Sequence, residues 1–188
     1  MKKQIAIFAS GRGSNAESLI NYFEKHNNIV VRMVVCNNPT AGVIAIAKKH
    51  SVPCEMISKS QFADEQYMLS LLNEIDVLIL AGFLWLIPPF LIHHFENKII
   101  NIHPSLLPKY GGKGMYGSHV HEAVLANKEK ETGITIHLVN EEFDKGEMIA
   151  QYTVALTPED TIETVQQKIA ALEMANFAKS IDTFLAHS

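Results

Sequence analysis

Cysteine is scarce: Cys36 and Cys54 are the only two in 188 residues, they stand far apart in apolar stretches, and neither has a partner at zinc-site or redox-motif spacing. Both read as buried free thiols of a reducing, cytoplasmic protein. No apolar run is clean enough to cross a bilayer. The longest, residues 75–92 (IDVLILAGFLWLIPPFLI), contains Asp76, Gly82 and Pro88-Pro89, so a buried strand followed by a loop is expected and no membrane partner. No basic stripe exists either. Acidic and basic residues are interspersed, the formal charge is −4, and nucleic acid is not expected as a partner. The start MKKQIAIFASGRG is basic, but Ser10 and Gly11 break its apolar run, which makes it a first strand rather than a signal peptide.

What is present is the alternation of β-branched apolar runs with segments of helical period, the pattern of βαβ units. Residues 3–9, 29–36, 53–57, 75–81 and 98–102 read as strands, and 14–26, 42–50 and 60–73 as helices. Toward the C-terminus a helix at 118–127 precedes the strands 134–139 and 148–156, which the acidic turn NEEFDKGE joins into a hairpin. Pro158 is expected to open a last long helix. The fold class is therefore α/β: a Rossmann-like, mostly parallel sheet with helices on both faces and an antiparallel C-terminal hairpin. A chain of this length fits one domain, residues 1–188, able to bury roughly 70% of its unfolded surface.

The segment Ser10-Gly11-Arg12-Gly13-Ser14-Asn15 sits between the first strand and the first helix, where glycines and free helix N–H groups suit an anion. The alternative is that Ser14 or Asn15 simply caps that helix. A nicotinamide cofactor is disfavoured: the third glycine of the dinucleotide fingerprint is missing, and the second strand ends in Cys36-Asn37-Asn38 with no acidic residue for a ribose. Asn101-Ile102-His103 puts a carboxamide and an imidazole at a strand end. If the strand runs through His103, both point the same way, and the pair can hold an oxyanion and move a proton. A satisfied structural histidine before a proline turn remains the competing reading. Asp144, between Phe143 and Gly146 in the acidic turn, is by itself a turn former. Folded over the sheet edge, it would orient His103 and raise its pKa. His137 reads first as a packed strand residue, with an approach to the site left open, and His93, His94, His119 and His121 lack ligand-spaced partners, so no metal is assigned.

Asn101-Ile-His-Pro-Ser-Leu-Leu-Pro108, Asp144 and Leu80-Ala-Gly-Phe-Leu84 together resemble the formyltransferases that use 10-formyltetrahydrofolate. With the Ser-Gly-Arg-Gly-Ser-Asn loop, the resemblance narrows to the branch that formylates glycinamide ribonucleotide in purine biosynthesis, and it spans essentially the whole chain. It implies Asn101 and protonated His103 on the oxyanion, with Asp144 supporting the histidine and relaying a proton through water. It further implies that Gly13, Ser14 and Asn15 hold the ribonucleotide phosphate and Glu173 its ribose. Leu84, Trp85, Leu86 and Ile87, with Asn140, Glu141, Glu142, Phe143 and Asp144, would line the pterin cleft. The chain then has a phosphate-binding half, 1–100, and a catalytic and folate-binding half, 101–188, acting on small molecules as a monomer or homodimer. A formyltetrahydrofolate hydrolase, a sugar-nucleotide N-formyltransferase and a non-catalytic nucleotide-binding module stay open as alternatives.

Overall fold

Residues Ile5 to Ala9 of the first strand, β1 (Lys3–Ala9), are wholly buried because the strand has a parallel neighbour on each side, β2 (Ile29–Cys36) and β4 (Val77–Leu80). Strands covered on both faces lose the polar alternation of surface strands, which is why β1 and β4 read as continuous apolar runs. The computed structural model describes residues 2–187. The strands form one seven-stranded sheet in the order β3-β2-β1-β4-β5-β6-β7, with β3 at Cys54–Met56, β5 at Ile99–His103, β6 at Glu131–Leu138 and β7 at Met148–Ala155. The pairs β1–β2, β1–β4 and β2–β3 are parallel, whereas β6 and β7 are antiparallel. This is the α/β class expected, with its antiparallel C-terminal pair.

The chain divides into two compact units at the Ile100–Asn101 bond. In the first, α1 (Ser14–Phe23) turns Ala16, Leu19, Ile20 and Phe23 into the core, and α2 (Val43–Lys49) contributes Val43 and Ala47. The helix expected over 60–73 is instead two, α3 (Lys59–Ala63) and α4 (Glu65–Leu71). Asp64 causes the break: it is extended (φ −88°, ψ 108°) and its carboxylate caps α4 by accepting from the Tyr67 N–H at 3.0 Å. Where a loop was expected after β4, a short helix α5 (Pro89–His94) forms, with Pro89 in its first turn, where a missing N–H costs nothing.

In the second unit, α6 (Ser118–Ala126) precedes the β6–β7 pair and α7 (Ile162–Ala186) follows it. Val165, Ile169, Phe177 and Ile181 of α7 are buried, as are Ile134 and Ile136 of β6. The last helix starts at Ile162, not at Pro158. Its Thr161 is extended and exchanges hydrogen bonds with Thr164 in a capping box. Lys168, Thr164 and the Thr157 N–H converge on Asp160 and hold its carboxyl down at about 2.

Gly13, the cap residue before α1, has φ 88°, and a Cβ there would lie 2.8 Å from Val43 Cα. Left-handed backbone and overpacking add, so Gly13→Ala is expected to cost about 2–4 kcal/mol of stability. Urea denaturation of the variant beside the wild type measures this.

Candidate functional site

β5 carries its regular pairing through His103, so Asn101 and His103 leave the same face of the strand. His103 is only 4% exposed. Its Nε2 lies 2.8 Å from the Tyr110 carbonyl oxygen. A carbonyl only accepts, so Nε2 carries the hydrogen and the Nδ1 lone pair faces the other way, toward Asp144 Oδ2 at 3.6 Å. That distance is too long for a direct hydrogen bond.

Asp144 stands in the loop between β6 and β7 with φ 55°, a left-handed conformation that aspartate tolerates better than most residues. Its side chain is 14% exposed. Oδ2 accepts from the Gly112 N–H at 2.8 Å, and Oδ1 lies 3.6 Å from Nε2 of His137. His137 is buried, and its Nδ1 donates to the Leu138 carbonyl at 2.8 Å. Its Nε2 is therefore the acceptor for the Asn101 carboxamide at 3.1 Å, which turns the Asn101 amide nitrogen inward. The expected trio Asn101, His103 and Asp144 is thus brought together, with His137 as a fourth member. The sequence favoured packing for His137 and left its approach to the site open; the signal was a ring with two nitrogens to satisfy inside a strand whose other buried positions are apolar, glycine or threonine.

Burial pushes the His103 pKa below the ordinary histidine value, outweighing the Asp144 charge and the Tyr110 carbonyl, which raise it, while His137 lowers it further. The expectation that Asp144 would lift His103 above its usual value is corrected: the carboxylate pulls in that direction, but desolvation of the imidazolium is larger. Burial also opposes the charge on Asp144. The His137 and His103 imidazoles and the Gly112 N–H outweigh it and leave the carboxyl below its usual range. A neighbouring imidazole, His121 on α6, is 5% exposed with Nδ1 buried and unpartnered; burial first, then repulsion from His103, lowers its pKa as well.

The rest of the β6–β7 loop is open. Asn140, Glu141, Glu142 and Phe143 are exposed, with Asn140 Oδ1 accepting from the Glu142 N–H at 3.0 Å. Glu173 lies midway along α7, half-buried, beside the exposed Met174.

In the first unit, Gly13 rather than Ser14 or Asn15 occupies the cap position of α1, and it has no side chain to cap the helix with. Ser14 is exposed and Asn15 half-buried in the first turn. Ser10 ties this loop to the segment after β4: its N–H donates to the Gly82 carbonyl at 3.1 Å and its hydroxyl accepts from the Leu84 N–H at 3.0 Å. Leu84 and Leu86 are 63% and 57% exposed, Ile87 is buried, and Trp85 packs on Phe62 and Phe83. Three of the four expected cleft residues thus reach the surface, while Ile87 belongs to the core. Among the described residues no cluster of three or more metal-ligating side chains occurs, and no helix is long and apolar enough to cross a membrane.

The profile of the family described as formyl transferase matches residues 3–181. The chloroplastic phosphoribosylglycinamide formyltransferase of Vigna unguiculata is 38% identical over 179 residues, 89% of this chain and 56% of that protein. The chain therefore spans a little over half the length of that relative. The phosphoribosylglycinamide formyltransferase of Bacillus subtilis (strain 168) is 36% identical, over 91% of this chain and 89% of its own. Among solved structures, glycinamide ribonucleotide transformylase 1 from Geobacillus kaustophilus superposes with a TM-score of 0.89 at 33% identity, covering 98% of this chain and all of that one.

Two of the buried imidazoles, His103 and His121, make stability depend on pH. His103 and His121 titrate lower folded than unfolded, so the unfolded chain binds more protons between the two values. Their contribution is complete above the unfolded value of about 6.5, falls as pH drops through it, and levels off below the folded values. Denaturation midpoints between about pH 8 and about pH 5 should decline, and His121→Gln should flatten that decline; a slope unchanged in the variant contradicts the assignment.

Proposed function

Because the chain belongs to the formyl transferase family, we propose that it transfers the formyl group of 10-formyltetrahydrofolate to the amine of glycinamide ribonucleotide, in purine biosynthesis, in the cytoplasm. The observation that carries the reading is the line of contacts Asn101–His137–Asp144–His103 within the second unit. Two free cysteines fit a reducing compartment.

The chemistry follows from what each group has left to give. Attack by the amine on the formyl carbon forms a C–N bond and pushes the carbonyl pair onto oxygen. The Asn101 amide has one N–H engaged by His137 and a second to donate to that oxyanion. The attacking nitrogen, now cationic, must lose a proton. His103 rests neutral with its Nδ1 lone pair available, and when Nδ1 takes the proton the new cation faces the Asp144 carboxylate. Asp144 thus stabilises an imidazolium that burial alone would forbid. Collapse of the adduct returns the electron pair to the carbonyl, and the folate nitrogen leaves with a proton, which His103 supplies. A resting neutral imidazole suits this cycle, since a base must start empty. Oxyanion stabilisation by protonated His103, which the resemblance implies, then belongs to the half of the cycle after the proton has arrived.

For the substrates, the exposed Ser14 hydroxyl and the uncapped first turn of α1 suit the ribonucleotide phosphate, with Gly13 and Asn15 beside them. Glu173 is assigned to the ribose. By the family resemblance the pterin is assigned to Leu84, Trp85 and Leu86 and to Asn140 to Asp144; the exposed Leu84 and Leu86 offer apolar surface of the kind it needs.

An assay of formyl transfer from 10-formyltetrahydrofolate to glycinamide ribonucleotide tests the function, and formate released without the acceptor would instead mark a hydrolase. His103→Ala should lower kcat at least ~10²-fold with folate affinity kept. Asp144→Asn should lower both kcat and the His103 pKa, since the raising charge is gone. Ser14→Ala should raise KM for the ribonucleotide about tenfold and leave folate binding unchanged; equal weakening of both substrates would make the loop structural.

A further inference from the structure

We propose that Glu129 is a positioning residue for formyl transfer: from outside the site it grips Tyr110, whose carbonyl decides which nitrogen of His103 faces Asp144. Its kinetic consequences rest on the function proposed above; the chain of hydrogen bonds does not.

Tyr110 has φ 57°, a left-handed conformation that a bulky side chain adopts only when its surroundings impose it. The restraint comes at several points. The Tyr110 hydroxyl donates to Glu129 Oε1 at 2.9 Å, and the same oxygen accepts from Lys109 Nζ at 3.0 Å. The fully buried Ser105 hydroxyl donates to the Lys109 carbonyl at 2.7 Å, fixing the peptide that leads into Tyr110. Glu129 is itself set by the turn after α6, where its N–H donates to the Val124 carbonyl at 3.3 Å. The result is a line of contacts, Glu129 to Tyr110 to His103 to Asp144, that starts just before β6 and ends just after it.

Release of the Tyr110 ring removes the restraint that acts through its own side chain on the strained backbone. As φ relaxes, the carbonyl turns away from His103 Nε2. The N–H there is buried and cannot turn to water, so it would be left without an acceptor. Moving the hydrogen to Nδ1, toward the Asp144 carboxylate, relieves this. That tautomer has no Nδ1 lone pair, so the base is lost although every catalytic side chain remains. The charged or titratable groups facing His103 are Asp144, His137 and His121, and none of them changes in these variants.

The test is ¹⁵N NMR of the His103 imidazole with steady-state kinetics for the wild type, Glu129→Ala, Tyr110→Phe, Glu129→Gln and the double variant Tyr110→Phe/Glu129→Ala. The wild type is expected to carry the hydrogen on Nε2. Glu129→Ala and Tyr110→Phe should each shift population to the Nδ1 form and lower kcat about tenfold, with KM values within about twofold. Glu129→Gln keeps the acceptor oxygen and should restore the wild-type tautomer and rate, and the double variant should be no worse than either single one. The proposal is overturned by a wild-type tautomer and rate in Glu129→Ala or Tyr110→Phe, or by losses that multiply in the double variant. If Glu129→Ala does not fold, Tyr110→Phe, which lacks a single hydroxyl, decides alone. A tautomer shift in a wild type and variants devoid of formyl transfer would remove the proposed function and leave the positioning role standing.

Discussion

A carboxylate taken out of water needs donors, and Asp144 has found only one that is permanent, the Gly112 N–H. The two imidazoles beside it, at 3.6 Å each, have their hydrogens committed elsewhere: His103 to the Tyr110 carbonyl and His137 to the Leu138 carbonyl. The carboxylate therefore faces lone pairs, an arrangement that is poor at rest and becomes favourable when a proton arrives on either ring. Much of the surrounding backbone exists to hold that half-satisfied state. Gly112 at φ 96°, Tyr110 at φ 57° and Asp144 at φ 55° are all left-handed, in segments that follow β5 and β6. Strain of this kind persists only where neighbours over-determine it, and here it accumulates around one buried anion.

The antiparallel pair β6–β7 supplies the geometry. Its register shifts between Ile136 and His137, where Ile149 of β7 is the extra residue, a bulge set opposite the position whose ring meets both Asn101 and Asp144. A one-residue slip would send His137 to the opposite face and leave the Asn101 carboxamide free to rotate. The β6–β7 loop then folds Asp144 inward while Asn140 to Phe143 stay exposed, so one loop of five residues presents both a largely covered carboxylate and an open surface.

Much of this was legible before any coordinates. β1 and β2 follow from their apolar runs to the residue, although only β1 is buried over most of its length and β2 keeps Arg32 exposed. Boundaries set by side-chain caps were not: Asp64 splits one expected helix, and Thr161 rather than Pro158 starts the last, since a cap is an outcome of local hydrogen bonding that periodicity does not register. In the site, Asn101 and His103 were readable from period-two alternation, whereas Asp144 needed a family resemblance. His137 was hidden because a buried histidine and a hydrogen-bonded one look alike in sequence. The sign of the His103 shift was also missed. A nearby charge can be guessed from sequence, but burial that removes nearly all solvent from a ring cannot, and here burial is the larger effect.

That sign bears on how such a site divides its labour. In the proposed formyl transfer, an imidazole that burial keeps neutral would not hold an oxyanion by charge at the outset, so the first stabilisation would fall to the Asn101 dipole, which needs no proton. Charge enters only as the proton moves, and it then appears between the developing oxyanion and a carboxylate already ionised below its usual range. The cost of burying His103 as a cation is deferred to the moment at which two anionic partners exist to offset it. A site built on a permanently charged histidine would meet that cost in every resting molecule. In the proposed reaction this one would confine it to the steps between attack and collapse of the adduct, where stabilisation changes rate rather than ground-state affinity.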